Sequence, residues 1–373
     1  MGGSEIAIFE ITRRLKDVFF HIITTRFSEE LPKEESSQNV TISRVGYGWG
    51  GKFALPLFGF ERALVDSPAF KENNQRSIIH AYQASYGGGA AWIYKKIFPK
   101  SVFILTLQEG KDLSGKNLVS FFRNFIIKKA DIITAISNYL ADYARKINPE
   151  ANIVVIPNGV DIKNFSREFD DSEIINLKHK LGIRLDDKVI ITASRLVYKN
   201  GLDLLIKSMA LLNKNGSHKF KLIIAGNHPI FDRYRIKKLE ELSKRLGIGD
   251  EIIFAGIINH YDLPLYFKIS DVFVRPSRSE GLGNAFLEAM ASSLPIIAPP
   301  VGGIPDFLED QETGLFCEVE NPQDIAKKIV EVIENQDLKQ KLIKNARKLV
   351  EKKYNWEIIA EKFRNLYGTI AKN

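Results

Sequence analysis

Short apolar, β-branched runs alternate with helical stretches along almost the whole chain, and no other feature constrains the fold as strongly. "SIIHAY" (77–82), "VFILTL" (102–107), "DIITAI" (131–136) and "NIVVIPN" (152–158) read as buried strands. After the polar stretch "SREFDDSEIINLKHKLGI" the pattern restarts with "KVIITASRL" (188–196), "FKLIIAG" (220–226), "EIIFAG" (251–256), "DVFVRPS" (271–277) and "PIIAPP" (295–300). Strands this apolar need cover on both faces, so the reading is α/β, with parallel sheets wrapped by helices. A break near 161–175 divides the chain into two Rossmann-like domains, 1–165 and 166–355. Open α/β sheets bind ligands beyond the carboxyl ends of their strands. Two such sheets facing across a cleft would hold a substrate between them. The tail "YNWEIIAEKFRNLYGTI" repeats Trp356, Ile359, Phe363 and Tyr367 at helical spacing, a packing pattern.

Composition narrows the class. At 373 residues the length suits two domains, and 45% hydrophobic with 26% charged residues is ordinary for a globular chain. No apolar run approaches the roughly 20 residues that span a bilayer. The opening helix is too charged for a signal peptide. The single cysteine, Cys317, fits a reducing compartment and a cytoplasmic protein. The net charge of +8 is spread over both halves, with 20 Lys and Arg against 15 Asp and Glu through Pro157. Nucleic-acid binders carry a denser basic footprint, so none is expected as a partner. One stretch stands apart. "SGKNLVSFFRNFIIKK" (114–129) combines Lys116, Arg123, Lys128 and Lys129 with many apolar residues and no acid. It reads either as a helix burying Leu118, Phe122, Phe125 and Ile126, or as an interfacial helix on an anionic membrane at the inner face.

The chemistry concentrates in "RPSRSEGLGNAFLEAMASSLPIIAPPVGGIPDFL" (275–308). A strand ends at Arg275–Pro276, a loop carries Glu280, Gly281, Leu282 and Gly283, and a helix starts near Asn284. The glycines let the backbone approach a ligand and aim amides at it, and the helix start favours a phosphate. Glu288 lies one turn deeper on the same face as Asn284. Carboxylates at both ends of this element suit sugar and ribose hydroxyls flanking a diphosphate. In "ASRLVYKNGLDLLIKSMALL" (193–212) a strand runs into Arg195, with Lys199 and Gly201 ahead of a helix. A guanidinium fork and an ammonium both suit a diphosphate leaving group.

At this point the chain resembles the retaining nucleotide-sugar glycosyltransferases of group 1, family four, with the two-domain GT-B fold. "KKADIITAISNYLADYAR", "VVIPNGVDIKNF", "ITASRLVYKNGLDLL" and "GLGNAFLEAMASSLPIIAPPVGGIPD" fall in family order and cover nearly the whole chain. The resemblance implies that Glu288 binds the donor ribose and that Glu280 faces the transferred sugar, with amides from Gly281 to Asn284 nearby. Arg195 and Lys199 would neutralise the departing diphosphate. The base would lie against amides around Gly256 and Ile257, and the helix 356–373 would cross back onto the first domain. The donor would be UDP- or GDP-linked, with no bound metal or other cofactor; the six histidines are dispersed, without ligand spacing.

This chain departs from the family pattern in three places. Asn200 stands where the family has a lysine, so the phosphate-binding role would pass to Lys199 from a shifted register, or else to Lys207 or a loop cation; Lys199 is the expectation. Gln108 occupies a first-domain histidine position and cannot trade a proton, whereas His80 lies near a neighbouring strand end and reads either as a core residue or as facing the cleft. His228, in "AGNHP", replaces a glycine pair. The opening "MGGSEIAIFEITRRL" places Gly2 and Gly3 ahead of a helix with Ser4 as its N-cap, and matches the family from a Gly-Gly loop onward. The first domain is therefore expected to lack its usual first strand, which leaves unpaired edges on its neighbours.

The resulting expectation is transfer of a sugar from a nucleotide-diphosphate donor to a hydroxyl acceptor, with retention. The acceptor would be a glycolipid, a polysaccharide precursor or a small molecule. A sugar-nucleotide epimerase and a non-catalytic nucleotide-sugar binder are the rival readings. A dinucleotide oxidoreductase is disfavoured, because no strand leads into Gly-x-Gly-x-x-Gly with an acidic residue about twenty positions on.

Overall fold

Alternation along each strand sorts side chains onto two faces, and the computed structural model shows this most clearly in Val272–Val274. It describes the chain except residues 1–2, 49, 60, 63–76, 111–112, 114, 116, 215–217, 227–232 and 373, and except the side chains of 52, 54, 57 and 233–235. The chain divides into two units, Met1–Asn158 with Trp356–Asn373, and Gly159–Asn355. The division precedes the polar 161–175 stretch because Phe165 is already buried in the second unit. Its ring lies 6.0 Å from Phe267, and its carbonyl accepts from the Ser292 hydroxyl.

In the first unit a helix, α1 (Gly3–Thr12), precedes three strands, β1 (Phe20–Thr25), β2 (Glu34–Ser37) and β3 (Val40–Val45), in the order β1-β3-β2. A second sheet holds β4 (Ile78–Tyr82), β5 (Val102–Leu107), β6 (Ile132–Ala135) and β7 (Asn152–Val155), side by side in chain order and all parallel. Helices α2 (Tyr86–Ile97), α3 (Leu118–Ile127) and α4 (Asn138–Ile147) connect them. Among the described residues β1 pairs only with β3, and β4 only with β5. The strands of this unit thus form two separate sheets among the described residues. Phe20 of β1 and Tyr82 of β4 nevertheless border one core cluster, built from Ala7, Ile11, Leu15, Ile156, Trp356, Ile359, Ala360 and Phe363. Ser4 lies within α1 rather than capping it, and its hydroxyl accepts from the Gln83 amide at 3.1 Å.

The second unit is a six-stranded parallel sheet. Its strands are β8 (Lys188–Ala193), β9 (Phe220–Ala225), β10 (Ile252–Gly256), β11 (Val272–Val274), β12 (Ile296–Ala298) and β13 (Leu315–Phe316). Their order is β10-β9-β8-β11-β12-β13, the Rossmann arrangement with its reversal between β8 and β11. The helices are α5 (Asp171–Lys180), α6 (Leu202–Lys214), α7 (Arg233–Arg245), α8 (Leu263–Lys268), α9 (Asn284–Ala291), α10 (Pro322–Glu334) and α11 (Gln336–Lys353). Val272 and Val274 point into a core shared with α6, α7 and α10, while Phe273 points the other way. There it joins a chain of rings, Phe267, Phe286 and Phe307, with neighbouring centroids 5.3–6.0 Å apart. Helix α12 (Trp356–Lys372) belongs to the first unit, and its Trp356, Ile359 and Phe363 are buried there.

Candidate active site

The reversal of strand order between β8 and β11 leaves a crevice at their carboxyl ends, where α/β sheets bind ligands. The segments following both strands carry the charged side chains. Arg275 continues β11: its amide donates to the Ile297 carbonyl at 3.2 Å, so it falls on the same face as Phe273. Its guanidinium lies 4.1 Å from the Phe286 ring centroid, and a single residue type, glycine, fits at 283 beneath it. Gly283 has φ +92°, and a Cβ there would meet the guanidinium at 2.5 Å. Arg275 Nη2 donates to Glu280 Oε2 at 2.9 Å, and Nη1 to the Ala193 carbonyl of β8 at 3.3 Å.

Glu280 is 8% exposed and Arg275 4%. The other Glu280 oxygen, Oε1, accepts the Gly281 amide at 3.0 Å and faces Lys199 Nζ at 3.4 Å. The carbonyl of Glu280 is gripped as well: the Gly303 amide donates to it at 3.1 Å, and Gly302 packs so closely that a Cβ would sit 1.9 Å away. The Gly-Gly pair in "PPVGGIPD" therefore seats the carboxylate from behind. Burial draws the Lys199 ammonium below its ordinary range; Glu280 opposes this, and the Arg275 and Arg195 charges reinforce it. Burial likewise lowers Arg275, against the pull of Glu280 and Glu288.

The structure brings Lys199 and Glu280 together from opposite sides of the strand reversal. Asn200 closes the turn that presents Lys199, donating to the Arg195 carbonyl at 2.6 Å from a buried position. Arg278 braces the same turn: its amide donates to the Lys199 carbonyl at 2.6 Å, and its guanidinium holds both oxygens of Asp203 at 2.8 and 2.9 Å. Arg195 is exposed, and among the described residues its side chain has no ion-pair partner. Leu282 is buried, and Asn284 begins α9. Glu288, also buried on α9, meets His260 Nε2 at 3.0 Å. Ile257, after β10, is exposed beside Gly256.

First-unit candidates lie at a helix start, within a strand and beyond a strand end. Gly3 opens α1, while Gly2 and His228 lie outside the described residues. Gln108 donates to Asn158 Oδ1 at 3.3 Å. His80 lies within β4 with both ring nitrogens engaged, Nδ1 by the Tyr367 hydroxyl at 2.8 Å and Nε2 by Thr106 at 2.5 Å. Desolvation pulls its pKa down to about 3, so the ring is neutral. Gln83 follows β4 at φ +69°, a left-handed conformation uncommon for such a residue. Glu109 accepts the Ala84 amide at 2.8 Å, and desolvation raises its pKa.

Sequence reasoning gave Arg275 and His260 no role. A charge at the end of a buried strand, five residues before a candidate glutamate, was an available signal for Arg275. Nothing in local spacing brings His260 to Glu288. Among the described residues, no helix is long and apolar enough to cross a membrane.

Comparison with known proteins agrees with this arrangement. Residues 1–164 match the family Glycosyltransferase Family 4, and residues 173–349 match Glycosyl transferases group 1. An uncharacterized glycosyltransferase of Methanocaldococcus jannaschii is 32% identical over 219 residues, which is 59% of this chain but 54% of that protein, so the match spans about half of the relative. Sucrose-phosphate synthase from Thermosynechococcus elongatus superposes with a TM-score of 0.86 at 21% identity, covering 99% of this chain and 94% of that one. The Anabaena protein HepE in complex with UDP gives 0.79 at 18% identity, covering 99% and 96%. The two family matches run almost end to end over a GT-B type fold, and the chain belongs to the group 1, family 4 glycosyltransferases.

Proposed function

We propose that this glycosyltransferase takes its sugar from a nucleoside-diphosphate donor, UDP- or GDP-linked, held at the strand reversal of the second unit. The single observation that carries the reading is the buried Glu280 carboxylate with Lys199 at 3.4 Å, beside the exposed Arg195. In the reaction the bond from the sugar's anomeric carbon to the diphosphate oxygen breaks. A bond from that carbon to an acceptor hydroxyl oxygen forms, and the hydroxyl proton is released. Negative charge grows on the leaving diphosphate, and Lys199, Arg195 and the amides before α9 are the groups that would receive it. Glu280 serves the sugar side, where positive charge develops, and Glu288 the ribose hydroxyls. The anomeric configuration is retained, and no metal is needed. HepE, which shares the fold, was solved in complex with UDP, which supports a nucleotide-linked donor.

Acceptor recognition falls to the first unit, whose strand ends carry Gln83 and Gln108. The acceptor is a lipid-linked hydroxyl presented at an anionic membrane. Leu118, Val119, Phe121 and Phe122 on α3 are 58–72% exposed, Lys128 and Lys129 lie exposed just beyond its end, and no acid occurs between 113 and 130. Of the four residues that could have formed a buried face, only Ile126 is fully covered. An exposed apolar arc with bases at one end is the composition of an interfacial helix.

A thermal-shift panel of nucleoside diphosphates and nucleotide sugars tests the donor site, since a ligand binding only the native state raises Tm. Glu288→Ala should weaken donor binding roughly tenfold or more, whereas Glu280→Ala should chiefly lower kcat. Wild-type kinetics in both variants would refute the site.

A further inference from the structure

Two cations of unlike character divide the two oxygens of Glu280. Arg275 is almost fully buried, makes a 2.9 Å bond to Oε2, is tied at its other nitrogen to the Ala193 carbonyl, and is stacked on Phe286. Both terminal nitrogens and one face of the guanidinium are thus held, and its Nε is buried without a hydrogen-bond partner among the described residues. Lys199 is more open, with its side chain 19% exposed. It makes only long contacts, 3.4 Å to Glu280 Oε1 and 3.4 Å to the Ser279 carbonyl. The Gly281 amide holds Oε1 independently at 3.0 Å, so that oxygen does not need the lysine to stay satisfied. A diphosphate entering beside Arg195 offers Lys199 more negative charge than one shared carboxylate does.

We propose that Arg275 is the fixed counter-ion of Glu280 and Lys199 its exchangeable one: on donor binding Lys199 leaves the carboxylate for the diphosphate, and Arg275 alone keeps Glu280 paired and aimed. Arg275 is thus a positioning residue, acting through Glu280. The missing side chain at Gly283 leaves room for the Arg275 guanidinium, since a Cβ there would lie 2.5 Å from Nη2. The proposal rests on the donor site assigned above.

Crystals soaked with UDP decide the exchange. Lys199 Nζ is expected beyond about 4 Å from Glu280, the ion-pair limit, with Arg275 still at hydrogen-bond distance. UDP bound at the site with Lys199 still on Glu280, or with Arg275 displaced, would overturn the exchange alone; no UDP at the site would overturn it together with the donor assignment. In solution, hydrolysis of UDP-glucose and GDP-mannose reports turnover without an identified acceptor. Arg275→Met should lower kcat about 100-fold while the Kd for UDP changes no more than about threefold, and Arg275→Lys should restore part of the loss. Lys199→Met should instead weaken UDP about tenfold. In a Glu280→Gln background, Arg275→Met should have no further effect on kcat, since its role passes through that carboxylate. Additive losses, or a Kd that rises as far as kcat falls, would show a merely structural role and refute the assignment; Arg275→Lys and the wild-type soak keep the test open to refutation if Arg275→Met does not fold.

Discussion

Gly302→Ala tests how tightly Glu280 is seated, and a matched control isolates the cause. Gly302 and Gly182 are both left-handed, at φ +58° and +66°. A Cβ at 182 meets nothing within 4 Å, whereas one at 302 would lie 1.9 Å from the Glu280 carbonyl oxygen and 2.9 Å from its carbon. Both substitutions bear the cost of an L-residue in that conformation, about 1 kcal/mol. Only Gly302→Ala must also open a contact from 1.9 Å to at least 3.0 Å, the distance below which real Cβ atoms are essentially never found. The backbone of 302 or of 280 therefore moves by more than an ångström, and overpacking of this kind adds roughly 1–3 kcal/mol. At roughly 2–4 °C per kcal/mol for a unit of this size, Gly182→Ala should lower Tm by a few degrees and Gly302→Ala by clearly more. A displacement of that size at a reacting group costs about 100-fold in rate. Hydrolysis of UDP-glucose or GDP-mannose by Gly302→Ala should fall accordingly, with Gly182→Ala near wild type. Equal stability and equal turnover in the two variants would refute the reasoning that the Gly-Gly pair seats the carboxylate.

Three further outcomes are expected. His80 is held neutral with a pKa of about 3 against an ordinary 6.5, so between those values the unfolded chain binds more protons than the folded one. Stability should rise with pH across that window and be lost as pH falls through it, and His80→Gln should flatten this limb in melting curves taken across that range; an unchanged limb would assign acid sensitivity elsewhere. Cys317 is buried, with burial as the main cause of a thiol pKa pushed up to about 12; it should resist a thiol reagent in the native protein and react only as fast as the second unit opens, so rapid native labelling would contradict its placement. Phe121→Asp with Phe122→Asp should abolish co-sedimentation with phosphatidylglycerol vesicles while leaving Tm and nucleotide binding unchanged; undiminished sedimentation would exclude α3 as the contact.

Much of the fold can be read from the chain because its buried strands are apolar on both faces. "VFILTL" and "KVIITA" coincide with β5 and β8. The first sheet of the first unit is a different matter. β1 and β3 are half-polar, and β2 is "EESS", fully exposed and held by antiparallel pairing to β3 and an ion pair of Glu34 with Arg62, which no apolar period announces. At the site, Glu280, Lys199 and Arg195 were accessible as strand-end motifs, because a crossover fold brings the ends of β8 and β11 together. The Glu288–His260 contact joins residues far apart along the chain and depends on how the loop after β10 folds back, which is tertiary information. The outward aim of Phe121 and Phe122 has the same origin: periodicity marks an apolar arc but not whether anything covers it.

The first core cluster takes Ala7, Ile11 and Leu15 from one end of the described chain and Trp356, Ile359, Ala360 and Phe363 from the other. During synthesis on a ribosome that cluster stays half-built while the whole of Gly159–Asn355, which needs none of those residues, emerges and folds. The portion made first is therefore finished last. A stalled or clipped product ending near residue 355 would carry a sound donor-binding half tethered to a segment with bare Ala7, Ile11 and Leu15, an evident target for chaperones and proteases.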